Sequence, residues 1–182
     1  MSMHLQNDNI ILRPLARSDV PLLLNFFQDM NAMRYYLPQM WRTYNLEQLY
    51  GLLADWHDQV TDFVYSVRSA DEEGALLGIV NLSGIDWTSH TAEIGVAIVD
   101  PAVRGRGLGT QTLTLMLNYA FEQMGLRRVF ARVMSENDPS LRLFDKLGFT
   151  REGVMREHVA RDGRFLDMIL FGLLKNEWTM IE

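Results

Sequence analysis

The spacing of apolar residues changes from one stretch of this chain to the next, and the changes mark out an order of elements. Ile10, Ile11 and Leu12 form a short run stopped by Pro14 and predict a first strand. Ser18 and Asp19 then supply capping oxygens, Pro21 stands where a missing N–H does no harm, and Leu23, Phe27 and Met30 recur at helical spacing. Asn45 with Gln48 three residues on predicts a capping box at the head of a second helix, lined by Leu46, Leu49, Leu53 and Trp56. An aromatic-rich connection, with Tyr35, Tyr36, Trp41 and Tyr44, separates the two helices.

Residues 63–67 and 77–82 read as strands around the polar turn Asp71-Glu72-Glu73-Gly74, and residues 92–99 as a third strand ending at Asp100-Pro101. Leu113, Met116, Leu117, Ala120, Phe121 and Met124 fall three and four residues apart, which predicts a long amphipathic helix ended by Gly125. Val129, Ala131 and Val133 alternate with Arg128, Phe130 and Arg132 in another strand. Residues 139–147 make a short helix closed by Gly148, and Asp162-Gly163 turns a terminal hairpin. A helix following a strand in mid-chain, with hairpins on both sides, predicts a mixed α/β fold in which helices cover one mixed sheet. With neither repeats nor a linker in view, 182 residues fit a single domain.

Composition narrows the chemistry more than the fold. At 48% hydrophobic and 22% charged residues the chain is an ordinary globular sequence. It has no cysteine, which excludes a disulfide scaffold, a thiolate metal site and a thiol nucleophile, so any thiol must arrive with a cofactor. Four scattered histidines lack metal-ligand spacing, and no metal is expected. The polar start, and apolar stretches far below the roughly 20 residues of a membrane span, predict a cytoplasmic protein with no membrane partner. A net charge of −6 argues against nucleic acid and favours a cationic partner such as an amine. Phe171, Leu173, Leu174 and Trp178 suit either the core or a homodimer seam.

The densest chemical signal is Val103-Arg104-Gly105-Arg106-Gly107-Leu108-Gly109-Thr110, set between a strand and a helix. Glycines let successive N–H groups turn toward one point, the helix N-terminus adds partial positive charge, and two arginines reinforce it, which together predict an anion cradle. Without glycine chemistry at stake, the same segment is a tight strand-to-helix turn with solvated arginines. No Lys-Ser or Lys-Thr pair follows the glycines, and residues 125–128 (Gly-Leu-Arg-Arg) lack a ribose-binding acid, which counts against a triphosphate or dinucleotide site.

The spacing Arg104-x-x-Gly107-x-Gly109, followed by a strand and then Asn137-Asp138-Pro139-Ser140-Leu141-Arg142-Leu143-Phe144-Asp145-Lys146-Leu147-Gly148-Phe149, resembles the GNAT superfamily of acyl-CoA-dependent N-acyltransferases. Ile11-Leu12-Arg13-Pro14-Leu15, and the ending from Glu157-His158 to Asp167, are similar to the branch containing ribosomal-protein and spermidine N-acetyltransferases. The resemblance implies a splayed sheet with a C-terminal hairpin, acetyl-CoA as cosubstrate, and acetyl transfer to a small-molecule or peptide amine. The pantetheine arm would run beside Ala97, Ile98 and Val99, the pyrophosphate would rest on residues 104–110, and Asn137 and Phe144 would meet the coenzyme.

The same resemblance offers Glu93, which interrupts an apolar strand, as general base, and Tyr35, Trp41 and Glu157 as acceptor contacts. Many members carry tyrosine seven residues after the asparagine as the thiolate's acid. Phe144 stands there and cannot donate a proton, so Ser140 is the candidate replacement, with solvent as the alternative. Each residue also has a plainer use: Glu93 at a solvated strand end, Asn137 as a helix cap, Ser140 bonded to local backbone, the aromatics as packing. If Phe144 marks lost catalysis, the chain is instead a silent acyl-CoA-binding module.

Overall fold

The computed structural model describes residues 5–36, 42–55, 58 and 60–179. Its strands are β1 (Ile10–Pro14), β2 (Phe63–Ser69), β3 (Leu76–Asp86), β4 (Thr91–Ile98), β5 (Arg128–Met134), β6 (Thr150–Arg161) and β7 (Arg164–Leu174). Its helices are α1 (Val20–Gln28), α2 (Leu46–Asp55), α3 (Leu108–Asn118) and α4 (Asp138–Lys146). All seven strands join one sheet in the order β1-β2-β3-β4-β5-β7-β6. β4 and β5 are parallel and linked through α3, while the other neighbours are antiparallel. The mixed α/β expectation therefore holds.

Period-two alternation divides the sheet's two faces. Val80, Leu82, Ala92, Ile94, Val129, Ala131 and Val133 pack with Leu113, Met116, Leu117 and Phe121 of the α3 segment and with Phe144 of α4. Val64, Ile79 and Ala97 face the other way, against Leu23 and Phe27 of α1 and Leu49 and Leu53 of α2. Phe171 and Leu173 are fully buried, and Trp178 packs on the first cluster with its Nε1 donating to Asn118 Oδ1 at 2.8 Å. Phe171 and Leu173 thus go to the core, while Leu174 and Trp178 stay partly exposed.

Local signals fared unevenly. The Asn45–Gln48 capping box forms in both directions, at 3.0 and 2.8 Å. Ser18 and Asp19 do not cap α1. Asp19 is buried, accepts the Ala16 amide at 3.0 Å and pairs with Arg68 of β2. Met30 falls outside α1, because Asp29 takes the Asn31 and Ala32 amides at 2.8 and 3.2 Å and turns the chain away. Trp56 lies outside the described residues. The long mid-chain helix continues past Asn118 as a π-helical segment, Tyr119–Gln123, and Gly125 follows at φ 69°.

Candidate active site

β4 pairs with β5 through Thr91↔Arg128, Ala92↔Val129 and Glu93↔Phe130, after which the strands part. β4 continues to Ile98 along β3, and β5 to Met134 along β7, so a wedge opens between them. The Val99 amide donates to Leu77 of β3 at 2.9 Å. Alternation then turns the main-chain groups of Ile94, Val96 and Ile98 toward the wedge. Of the three residues expected beside the coenzyme, it is Ile98 whose main chain faces the gap. Ala97 and Val99 turn theirs to β3. Arg104 Nε reaches back to the Ile98 carbonyl at 2.9 Å and so fixes the loop on this edge.

The loop after β4 enters α3 through two left-handed glycines, Gly105 at φ 75° and Gly107 at φ 80°, with Gly107 as the helix N-cap. A Cβ placed on either would meet no protein atom within 4 Å, so their bareness leaves room for something outside the chain. Gly109 serves packing instead, since a Cβ there would come within 3.2 Å of Leu143 Cδ2 on α4. Leu108, Gly109 and Thr110 open the helix, where amides lack intrahelical partners. Arg106 is exposed beside them. Glycine torsions, helix dipole and arginines suit a diphosphate.

α4 begins across the wedge, at the end of β5. Asn137 caps it, with Oδ1 accepting the Ser140 amide at 3.3 Å, which leaves the side-chain NH2 as a donor. Ser140 is half-buried in the first turn. Phe144, expected to meet the coenzyme, is 4% exposed, 5.0 Å from Phe149 edge-on and 5.5 Å from Phe171 in a stack. The ring holds α4 on the sheet.

Glu93 stands where pairing stops, on the face toward α1 and α2. Arg132 grips both of its oxygens, Nε to Oε1 at 2.9 Å and Nη2 to Oε2 at 2.8 Å. These bonds hold the guanidinium's proton more tightly than usual. On β3, Ser83 lies opposite Glu93 and Asn81 opposite Gly95, and a Cβ on Gly95 would fall 2.7 Å from Asn81 Oδ1. A polar strip therefore crosses an otherwise apolar face.

The α1–α2 connection and the β6–β7 hairpin meet beyond this strip. Arg34 pairs with Asp162 at the hairpin tip and lies 3.7 Å from Glu136, the residue before Asn137. Arg164 holds Glu136 at 3.0 Å, and the buried Arg161 donates to the Arg34 carbonyl at 3.1 Å. Tyr35 is exposed beside Arg34, and Tyr36 packs edge-on against Phe26 and Phe27, where burial pushes its phenol above the ordinary range. Trp41 lies outside the described residues. Glu157 sits on a bulge of β6 at φ 51°, its amide donating to Asp167 Oδ1 at 2.8 Å. Arg34, Arg132 and Glu136 escape sequence reasoning, because a parallel register and a loop–hairpin contact join residues far apart in the chain. Among the described residues, no group of three or more His, Asp or Glu stands close enough to hold a metal ion, and no helix is long and apolar enough to cross a membrane.

Comparison with known proteins bears on this geometry. The acetyltransferase (GNAT) domain family matches residues 9–150. A spermidine N(1)-acetyltransferase of Vibrio cholerae is 27% identical over 173 residues, covering 94% of this chain and 96% of that one. A putative ribosomal N-acetyltransferase, YdaF of Bacillus subtilis, is 30% identical over 127 residues, 70% of this chain and 69% of its own. In fold, the spermidine N-acetyltransferase from Vibrio cholerae solved with CoA and spermine superposes with a TM-score of 0.85 at 24% identity, covering 94% of this chain and 98% of that one.

Proposed function

This chain belongs to the GNAT acetyltransferase family, and from that premise we propose that it transfers an acetyl group from acetyl-CoA to a primary amine, with both bound at once. The observation that carries the reading is the wedge between β4 and β5, with a glycine-rich helix N-terminus at one rim and Asn137 at the other. Acetyl-CoA, when bound, supplies a thioester whose carbonyl the amine attacks.

The chain's own residues would divide the work as follows. Ile98, flanked by Ala97 and Val99, would add main-chain hydrogen bonds to the pantetheine arm as an extra strand does. Arg104, Gly105, Arg106 and Gly107 would cradle the diphosphate together with the first amides of α3, from Leu108, Gly109 and Thr110. Asn137 would donate its NH2 to the arm. Glu93 would accept a proton from the nitrogen as the N–C bond forms, through a lone pair that Arg132 leaves open. Ser140 would pass a proton to the departing thiolate. Tyr35, Trp41 and Glu157 would border the acceptor.

A thiol-release assay with acetyl-CoA against polyamines, aminoglycosides, amino acids and short peptides tests this reading. Acceptor-dependent thiol release with a matching acetylated product is expected. Tight acetyl-CoA binding with no turnover of any amine would instead make the chain a silent acyl-CoA-binding module.

A further inference from the structure

The Arg132 guanidinium uses only part of its donor set inside the chain. On β5, Val129, Ala131 and Val133 face α3, so Arg132 projects from the opposite face, the one it shares with Glu93. It stands two residues beyond Phe130, the last residue of β5 paired with β4, and so level with Gly95 across the opening wedge. From there it crosses to Glu93, and the pair spans the apex of the wedge. Glu93 takes Nε–H and one hydrogen of Nη2. Both hydrogens of Nη1 and the outer one of Nη2 remain, a second fork with no acceptor among the described residues. The side chains of Arg132 and Glu93 are 35% and 26% exposed, so a bound molecule can reach them. The bidentate grip fixes the plane of the guanidinium, and the fork is set before anything binds.

The direction of β4 decides which part of the coenzyme comes here. Residues 104–110 follow the C-terminal end of β4, so an arm that starts from a diphosphate held there and runs along the strand's open edge points its far end, the thioester, at the apex. Gly95 lies three residues before Ile98, about 10 Å along the strand, within reach of an extended pantetheine. It offers no side chain to block the approach, and Asn81 of β3 leans over it, with Oδ1 2.7 Å from where a Cβ would stand. The acyl end thus arrives between a bare stretch of β4 and the guanidinium from β5.

We infer that Arg132 is a catalytic residue of acetyl transfer, its second fork donating to the thioester carbonyl oxygen of acetyl-CoA. This rests on the acetyl-transfer reading above. As the amine's lone pair forms the N–C bond, the carbonyl π pair moves onto oxygen, where Nη1–H and the outer Nη2–H stabilise the charge. The pair returns to carbon as the C–S bond breaks with its electrons leaving on sulfur. Glu93 accepts the proton from nitrogen, and the thiolate gains one from Ser140 or solvent. Arg132 keeps its own protons throughout.

Acetyl-CoA labelled with 13C at its acetyl carbonyl, bound to the full chain with no acceptor present, reads the contact by isotope-edited infrared spectroscopy. The carbonyl band should fall to lower wavenumber on binding to the native chain, and that fall should be lost in Arg132→Met, while calorimetry finds acetyl-CoA still bound. Arg132→Lys, which keeps the charge but not the fork, should retain part of the fall, and it carries the test if the methionine variant does not fold or bind. With any amine that releases thiol, kcat at saturating acetyl-CoA should drop about 10²- to 10³-fold in Arg132→Met. An unshifted band in the native complex, the same fall in the folded variant, or an unchanged kcat overturns the inference and leaves acetyl transfer intact. Absence of acetyl-CoA binding to the native chain overturns acetyl transfer itself, and the inference with it.

Discussion

Replacing Gly107 with valine separates the two jobs that glycine does. Its backbone is left-handed, φ 80° and ψ 2°, which costs a residue with a Cβ about 1–2 kcal/mol. Beyond its own neighbours in the chain, the added Cβ meets no atom within 4 Å, so torsion is the main penalty on the bare chain. For a chain of this size that is a melting shift of roughly 2–8 °C. Bound coenzyme changes the account, because the isopropyl group would stand where the α3 amides approach the diphosphate. Losing one charge-assisted hydrogen bond there costs about 1.5–3 kcal/mol, or roughly 10- to 100-fold in affinity. Gly74, in the β2–β3 turn at φ 57° and likewise open around its Cβ, provides a control with a similar torsional cost outside the loop. Calorimetry and thermal melting of Gly107→Val and Gly74→Val should show similar losses of stability and a loss of acetyl-CoA affinity in the first alone. Equal affinities in the two folded variants would refute the placement of the diphosphate.

Glu93→Gln should leave acetyl-CoA affinity nearly unchanged and lower acceptor turnover by about 10²-fold; unchanged turnover from pH 6 to 9 would show that Glu93 only anchors Arg132. Ser140→Ala should reduce turnover while sparing coenzyme affinity, provided chemistry limits the rate, and full turnover would assign the proton to water. Phe144→Tyr, with its ring still packed on Phe149 and Phe171, should not restore activity to that variant, and a buried hydroxyl without a partner would cost about 1–3 kcal/mol, measured as a loss in denaturant midpoint. Asp58 accepts hydrogen bonds from the Thr61 hydroxyl and the amides of Val60, Thr61 and Asp62, which hold its carboxyl well below the usual range. A depressed folded-state value means that this stabilisation is complete above about pH 4, the unfolded range, and is lost as pH falls further. The melting difference between the native chain and Asp58→Asn should therefore shrink between pH 5 and pH 2.5, and a constant difference would contradict it.

What the sequence revealed was the part written in local spacing. The capping box of α2, the buried stripe from Leu113 to Phe121 and the left-handed turn at Gly107 each depend on residues within a few positions of one another. The Glu93–Arg132 pair spans 39 positions and depends on a parallel register that no local pattern encodes. Arg34 with Asp162, 128 positions apart, depends on a loop meeting a hairpin tip. Asp19 shows the opposite failure. Its capping signal was present, but Arg68 on the adjacent sheet outbid the helix end. A motif marks the position of Phe144, while its packing on Phe149 and Phe171 follows from the fold.

The open edge of β4 and the first turn of α3 should act as one coenzyme site. Amide hydrogen exchange on the full chain, with and without acetyl-CoA, reads both at once. Peptides covering residues 94–98 and 105–110 should both gain protection on adding acetyl-CoA, while the β2–β3 turn around Gly74 should not change. Protection confined to other segments, or none at saturating coenzyme, would contradict it.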